Sequence, residues 1–225
     1  MAEAVVPVAR GLPGVIKRLL DIFVSAIGLC VLLPVMGLIA LWLLVAEGPP
    51  LLYREYRIGR GGKLFPMYKF RTLRPGSAGE RSVAPEDDPR ITGTGLWLRR
   101  WRLDEFPQLL DVLCGHMSLV GPRPMPPAHA AALPEEQLAG LVSVRPGMTD
   151  AAAIHFLAED AVLAGQDDPE AVYLERFQPV KALMQLDSLA HWSLSADLLV
   201  LARTLALLWS PAAREESARA MRRLL

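Results

Sequence analysis

Two adjacent carboxylates, Asp104-Glu105, follow a basic stretch carrying Arg99, Arg100 and Arg102, and they precede a lone arginine held between prolines in Gly121-Pro122-Arg123-Pro124. That combination points to chemistry on a phosphate. An ordinary carboxylate ionises near pH ~4, so Asp104 can act as a nucleophile at neutral pH without a separate base. A phosphate anion approaches it only where cations offset the repulsion, and planar guanidinium forks suit that task. The prolines beside Arg123 fix φ and lower the entropic cost of holding it for a bidentate phosphate contact. Arg145-Pro146-Gly147 repeats the device in weaker form.

These residues need elements to position them. Residues 108–114 are apolar enough for a buried helix, with Gly115 as its stop and Pro107 marking its start. Asp104 or Glu105 then falls where a helix cap is expected, at the end of the helix dipole that also attracts phosphate. By itself the pair reads as a cap; the arginines and the proline-framed motif are what argue for chemistry. Upstream, residues 51–57 and 64–71 flank Gly59-Arg60-Gly61-Gly62 and read as a β-hairpin. Alternation in its second strand puts Lys69 and Arg71 on a cationic face and Tyr68 and Phe70 on an apolar one. From Tyr53 to Arg74 there are seven Lys and Arg against Glu55 alone, a patch suited to a diphosphate or to anionic headgroups. Gly59 to Lys63 is not a P-loop, because Leu64 stands where the hydroxyl is required.

A loop follows over residues 75–89, either a lid or a linker. Trp97 and Trp101 then lie one helical turn apart beside Arg99 and Arg100, a pairing common at bilayer surfaces. The acidic run Glu159, Asp160, Asp167, Asp168 and Glu170 reads as solvated surface. Residues 194–208 and 211–225 read as two helices, the second either interfacial or packed on the domain.

The 225 residues suit one domain with a sizeable core, and 24 basic against 24 acidic side chains give no global pull toward nucleic acid. Residues 19–46 hold only one charge, Asp21, over a length beyond the ~20 residues a bilayer helix requires. This is a membrane segment, too long in its apolar part for a secretory signal. Lys17 and Arg18 precede it and Arg54, Arg57, Arg60 and Lys63 follow it, so both ends are drawn to the cytoplasm. A re-entrant path bent at Pro34 satisfies both flanks, and a simple span is the alternative. Cys30 and Cys114 suggest no disulfide framework, and the four histidines show no zinc-like spacing.

Five motifs occur in order: Lys17-Arg18-x-x-Asp21; Tyr68-Lys69-Phe70-Arg71-Thr72; Leu103-Asp104-Glu105-Phe106-Pro107-Gln108; Met117-Ser118-Leu119-Val120-Gly121-Pro122-Arg123-Pro124; and Arg145-Pro146-Gly147-Met148-Thr149. Through them nearly the whole chain resembles bacterial sugar transferases of the monotopic phosphoglycosyl transferase family. The resemblance implies an α/β protein in two parts: an N-terminal membrane region, residues 1–48, with a re-entrant helix broken at Pro34, and a cytoplasmic catalytic domain, residues 49–225, in which a small β-hairpin joins a helical body with interfacial amphipathic helices.

It also implies an activity: transfer of a phosphosugar from a UDP-sugar to polyprenyl phosphate, releasing UMP, on the cytoplasmic face of the bacterial cell membrane. Asp104 would be the nucleophile and Glu105 would help hold Mg²⁺. Lys69, Arg71, Arg99, Arg123 and Arg145 would bind substrate phosphates, while Lys17, Arg18 and Pro34 would serve the membrane anchor. The partners implied are a nucleotide-sugar donor, the polyprenyl phosphate acceptor and the membrane, with no nucleic acid and with a homodimer left open. Four residues depart from the family pattern: Leu33 where serine is often found before the proline, Asp111 where asparagine is usual, His116 where an acid is usual, and Ser188 where tyrosine is common. Asp150 follows Thr149 where many relatives have glycine, which leaves the sugar unsettled. Two rival readings remain: a membrane alcohol phosphotransferase, whose spaced aspartates on several membrane helices are missing here, and a catalytically silent protein that binds polyprenyl phosphate or recruits glycosyltransferases.

Overall fold

A computed structural model describes residues 12–77, 81–207 and 210–225. The beginning of the expected 1–48 region, residues 78–80 of the loop and Leu208 of the expected C-terminal helix lie outside the described residues. The membrane segment forms a single 36-residue helix, α1 (Leu12–Glu47), which runs through Pro34. At ~1.5 Å per residue it is about 54 Å long, and it is the one described helix long and apolar enough by itself to cross a membrane.

One stripe of α1 faces the rest of the protein at the spacing a helix dictates: Lys17, Asp21, Ser25, Gly28, Leu32, Met36, Ile39, Leu43 and Glu47. The other faces leave Leu19, Phe23, Ile27, Val31, Leu38, Leu41 and Val45 exposed. Both ends of α1 are fastened to the same body. Near its start, Arg18 donates to the carbonyls of Val112 and Leu113 at 2.7 and 2.9 Å, while Asp21 accepts from Ser118 Oγ and Leu119 N. At its end, Arg71 donates to the carbonyls of Glu47 and Gly48 at 3.1 and 2.8 Å. These arginines satisfy carbonyls that helix C-termini leave unpaired.

The expected hairpin forms from β1 (Leu52–Ile58) and β2 (Leu64–Phe70), paired antiparallel with Tyr53 opposite Lys69. The expected split into an apolar and a cationic face does not hold. Phe65 and Met67, which share strand parity with Lys69 and Arg71, are buried in a cluster with Leu109, Val112, Met117 and Leu119, and Phe70 is buried on the opposite face with Ile39, Leu43 and Leu98. Core covers part of both faces because α1 supplies both clusters, Leu29 and Leu32 packing on the first and Ile39 and Leu43 joining Phe70 in the second.

The helix α2 (Gly93–Arg100) is capped by Thr92, whose hydroxyl accepts from Gly95 N. A one-turn 3-10 segment (Leu103–Glu105) leads into α3 (Gln108–Cys114), which ends on Gly115 at φ 86° as its position after the apolar run predicts. Then β3 (Ser118–Val120), α4 (Pro127–Ala131), α5 (Glu135–Leu141) and β4 (Gly147–Thr149) follow. The strands β3 and β4 pair in parallel, so the two proline-arginine motifs, far apart in sequence, lie side by side. The chain continues through α6 (Ala151–His155), α7 (Glu159–Leu163), α8 (Pro169–Val172), a π-helical turn (Tyr173–Phe177), α9 (Gln178–Ala190), α10 (Leu194–Leu207) and α11 (Pro211–Met221). Met221 of α11 joins Phe156, Leu163 and Phe177 in a third core cluster, so this helix packs on the domain. The chain is therefore a helical protein with two small two-stranded sheets.

Candidate active site

The acidic pair lies in the 3-10 turn between α2 and α3. The residue before it, Arg102, is the one described non-glycine with positive φ, at 55°. A bulky residue in the left-handed region costs ~1 kcal/mol or more and turns the chain sharply. Neither carboxylate caps α3: Pro107 occupies the cap position and no side-chain cap bond forms. The cap expectation fails because the intervening 3-10 turn carries both side chains away from the first free N–H groups of α3.

Glu105 is ion-paired with Arg123, which approaches it with both terminal nitrogens, and Arg102 Nη1 stands 3.6 Å away. Burial by itself would raise its pKa, but the charges of Arg123 and then Arg102, with the Arg123 hydrogen bond, hold it down at about 2. Asp104 has no such partner. Burial first, and the charge of Glu105 second, push its carboxyl up to about 6, against the pull of Lys69, Arg99 and Arg102. Its Oδ1 is buried without a hydrogen-bond partner among the described residues. Gln108, four residues on and only 1% exposed, leaves both atoms of its amide unpartnered as well. Buried polar atoms cost ~1–3 kcal/mol each when unsatisfied, and such orphans in one place mark a site built for something else to bind.

The cations around Asp104 are themselves supported. Lys69 reaches Glu55 at 3.4 Å, and burial lowers its pKa. Arg99 donates from Nε to Thr72 Oγ1 at 2.9 Å and from Nη1 to the Ala84 carbonyl at 2.8 Å, leaving Nη2 without a partner among the described residues. Gly95 of α2 lies so close that a Cβ there would fall 2.1 Å from the Thr72 carbonyl oxygen, so only glycine permits the approach that brings Arg99 to Thr72. The turn bearing Arg123 is held by Asp150, whose Oδ2 accepts from Arg123 N at 3.1 Å and from Gln185 Nε2 at 2.6 Å.

Of the expected phosphate-binding residues, the structure gathers Lys69, Arg99 and Arg123 around the acidic pair and adds Arg102. Arg123 differs from expectation in pointing its fork at Glu105, because a carboxylate in reach is the nearest anion. Arg71 is 5% exposed and tied to the end of α1, so its main contacts are structural, although its Nη1 is buried and unpartnered. Arg145 stands apart: its Nε donates to the Gly115 carbonyl, and the charges nearest it are Arg18, Arg60 and Asp21. Lys17 joins Asp197 at 2.5 Å and Val120 O at 3.0 Å. The supporting residues Glu55, Thr72, Gln108 and Asp150 were not singled out as site residues from sequence. Glu55 had a visible sign, as the lone acid among seven cations. Two of the family departures meet here: His116 Nδ1 lies 3.6 Å from Asp111 Oδ1.

A family model described as "Bacterial sugar transferase" matches residues 12–210. The chain belongs to that family. This sugar transferase is 37% identical over 193 residues to the UDP-glucose:undecaprenyl-phosphate glucose-1-phosphate transferase of Caulobacter vibrioides, covering 84% of the present chain and 67% of that protein. It is 45% identical over 111 residues to the exopolysaccharide production protein PSS of Rhizobium leguminosarum, covering 48% of the present chain and 56% of that protein. Against the UDP-glucose:undecaprenyl-phosphate glucose-1-phosphate transferase of Escherichia coli the identity is 36% over 154 residues, 64% of the present chain and 32% of that protein. The chain thus spans about one third to two thirds of the length of these relatives. Acidic pair, both proline-arginine motifs and α1 all fall inside the matched residues 12–210.

Proposed function

We propose that this sugar transferase moves a phosphosugar from a UDP-sugar to polyprenyl phosphate, with Asp104 as the nucleophile. The observation that carries the reading is the buried Asp104, with an unpartnered Oδ1 and with Lys69, Arg99 and Arg102 around it, beside a Glu105 already neutralised by Arg123. The Caulobacter and Escherichia relatives, both named as UDP-glucose:undecaprenyl-phosphate glucose-1-phosphate transferases, agree with it.

In the first step an Asp104 carboxylate oxygen attacks the sugar-bearing phosphorus. The bond from that phosphorus to the bridging oxygen breaks, and UMP leaves with the electron pair. In the second, a phosphate oxygen of the polyprenyl phosphate attacks the same phosphorus and releases the Asp104 carboxylate, giving polyprenyl-diphospho-sugar. Phosphoryl transfer depends mainly on positioning and on offsetting negative charge, which Lys69, Arg99 and Arg102 supply. Glu105 stays ionised and holds Arg123 and Arg102 in register behind Asp104.

Among the described residues no three His, Cys, Asp or Glu side chains come together as a metal cluster. The donor left unpartnered is Asp104 Oδ1, and Glu105 would share with a metal the oxygens it gives Arg123; this pair would hold Mg²⁺, which characteristically takes one or two carboxylates together with substrate phosphates. Bound there, Mg²⁺ would supply further charge neutralisation at the diphosphate.

For the membrane, the contacts of α1 support a monotopic arrangement on the cytoplasmic face. Arg18 and Asp21 near its start and Leu43 and Glu47 at its end all bind one body. A body held along the whole stripe sits on one side of the bilayer, with the exposed apolar faces of α1 immersed from that side.

Nucleotide release tests the reading. Protein in detergent with Mg²⁺, polyprenyl phosphate and a panel of UDP-sugars should release UMP, and Asp104→Asn should lower the rate by about 10³-fold or more. The variant should unfold no earlier than the wild type, since the amide removes a charge that burial disfavours. UDP as product, or an active Asp104→Asn, would sink the assignment.

A further inference from the structure

The acidic run expected as solvated surface contains one carboxylate that is fully used inside the protein. Glu170 stands at a built helix start: Asp168 caps α8, its Oδ1 accepting from Glu170 N and Ala171 N at 3.1 Å each, and Pro169 fills the first helical position. Both oxygens of Glu170 have partners. Oε2 accepts from the backbone N–H of Val83 at 2.8 Å, and Oε1 meets Nε2 of His129. His129 is buried, its ring lies 5.0 Å from that of Tyr173, and its carbonyl accepts from Gln178 Nε2 at 2.6 Å, so it meets the carboxylate from a fixed place. The segment that Glu170 grips belongs to the loop expected as a lid or a linker. Over residues 81–89 that loop is fastened at further points: Glu86 N donates to the Asp160 carbonyl at 3.1 Å, and Gly165 N donates to Asp87 Oδ2 at 2.8 Å.

Val83 and Ala84 join that grip to the acidic pair. The Ala84 carbonyl accepts from Arg99 Nη1 at 2.8 Å, and Arg99 is one of the cations that pull on the Asp104 carboxyl. A second bond, from Arg99 Nε to Thr72 Oγ1 at 2.9 Å, completes the hold. Two bonds from different nitrogens fix the plane of a guanidinium, whereas one leaves it free to swing, and a cation fixed beforehand needs no ordering during the reaction. The direction of the Ala84 carbonyl is therefore decisive. The Val83 side chain packs on the Phe156 and Phe177 cluster, but apolar packing is non-directional and does not set which way a peptide faces. The Val83 carbonyl accepts from Arg90 at 3.2 Å, and Arg90 is itself a loop residue, locked to Asp88 at 2.7 Å. The directional bond that ties Val83 to the helical body is the one to Glu170. We propose that Glu170 is a positioning residue for phosphosugar transfer: by holding Val83 it aims the Ala84 carbonyl and so sets the fork of Arg99, while His129 orients the Glu170 carboxylate. This role rests on the reading of Asp104 as the nucleophile.

The test is a mutant cycle read as kcat/KM for UMP release, with Mg²⁺, polyprenyl phosphate and a UDP-sugar that the wild type uses. Glu170→Ala should lower it about ten-fold. Glu170→Gln should stay within about two-fold of the wild type, because its amide oxygen accepts from Val83 N and its nitrogen donates to His129 once the ring proton moves to Nδ1. In an Arg99→Lys background the two-point hold is already gone, so Glu170→Ala should cost less than about two-fold there; a merely structural role gives the same loss in both backgrounds. Trypsin reads the grip without catalysis. Arg81 is exposed at the start of the gripped segment, and cleavage after it, followed by mass, should quicken about five-fold in Glu170→Ala and stay unchanged in Glu170→Gln. Should Glu170→Ala fail to fold, Glu170→Asp, one methylene short of Val83, replaces it in both arms with a smaller change in the same direction. Full activity in Glu170→Ala, a Glu170→Gln as slow as Glu170→Ala, an equal loss in the Arg99→Lys background, or unchanged tryptic cleavage would each overturn the proposal. Absence of UMP from the wild type overturns the phosphosugar reading and this role with it, whereas a failed cycle in an active wild type counts against Glu170 alone.

Discussion

The acidic pair and the cavity behind β3 both gather several guanidinium groups, yet they treat them differently. At the pair, Arg123 and Arg102 meet Glu105, Arg99 is held by Thr72, and Lys69 leans on Glu55. What is left unpaired there is an acid, Asp104. In the cavity between the first turns of α1, the β3–β4 pair and α10, Lys17, Arg18, Arg60, Arg145 and Arg203 share the wall with four carboxylates, Asp21, Asp150, Asp187 and Asp197, so cations and acids nearly balance and no acid stands buried and alone. The difference teaches that a count of nearby cations does not by itself mark a reacting centre. The charge left over after internal pairing does.

Three experiments break or sharpen that contrast. The largest effect is expected for Arg123→Lys, which keeps the charge and removes the two-pronged contact with Glu105. UMP release should fall about 10²-fold, ~2–3 kcal/mol in the transition state. An unchanged rate would mean that the reacting centre does not depend on the Glu105 to Arg123 pairing.

The pH profile comes next. Because burial and Glu105 raise the Asp104 pKa to about 6, its nucleophilic, ionised form disappears as pH falls through that value. The log of kcat/KM for UMP release should therefore drop with unit slope below pH ~6. Glu105→Gln removes one of the two causes of the upward shift and frees Arg123, so the limb should move to lower pH. A limb that stays near 6 in Glu105→Gln would contradict the coupling between the two acids.

The smallest effect is expected for Gly95→Ala. Its Cβ would meet the Thr72 carbonyl, pushing α2 off the strand end and loosening the Thr72 to Arg99 bond. Crowding of this kind costs ~1–3 kcal/mol of stability, and UMP release should fall by several-fold. Chemical denaturation alongside the rate assay checks both parts.

Some of this architecture was legible in the residues. Helix α3 with its Gly115 stop, the hairpin over Gly59 to Gly62 and the apolar length of α1 follow from local rules of periodicity, turn chemistry and composition. The reacting pair was visible because two acids among arginines are unusual in one short stretch. The parallel pairing of β3 with β4 was not legible, since three-residue strands carry no period and their partners lie some thirty residues apart. The supports Thr72 and Asp150 were hidden for the same reason: a hydroxyl or a carboxylate that holds another residue's backbone or side chain looks locally like any turn residue.

The sequence alone pointed to a membrane, through an apolar stretch longer than a bilayer helix requires, and to a carboxylate pair facing arginines. It also determined membership of the bacterial sugar transferases, through five motifs in order. Only the tertiary structure decided how the cations are divided. It tied Arg71 to the end of α1, turned Arg123 onto Glu105 and carried Arg145 away into the cavity, leaving Lys69, Arg99 and Arg102 for Asp104. The physical reason is that an arginine acts on whichever anion or carbonyl lies within ~3 Å of it in a dry place, and sequence spacing does not fix that distance.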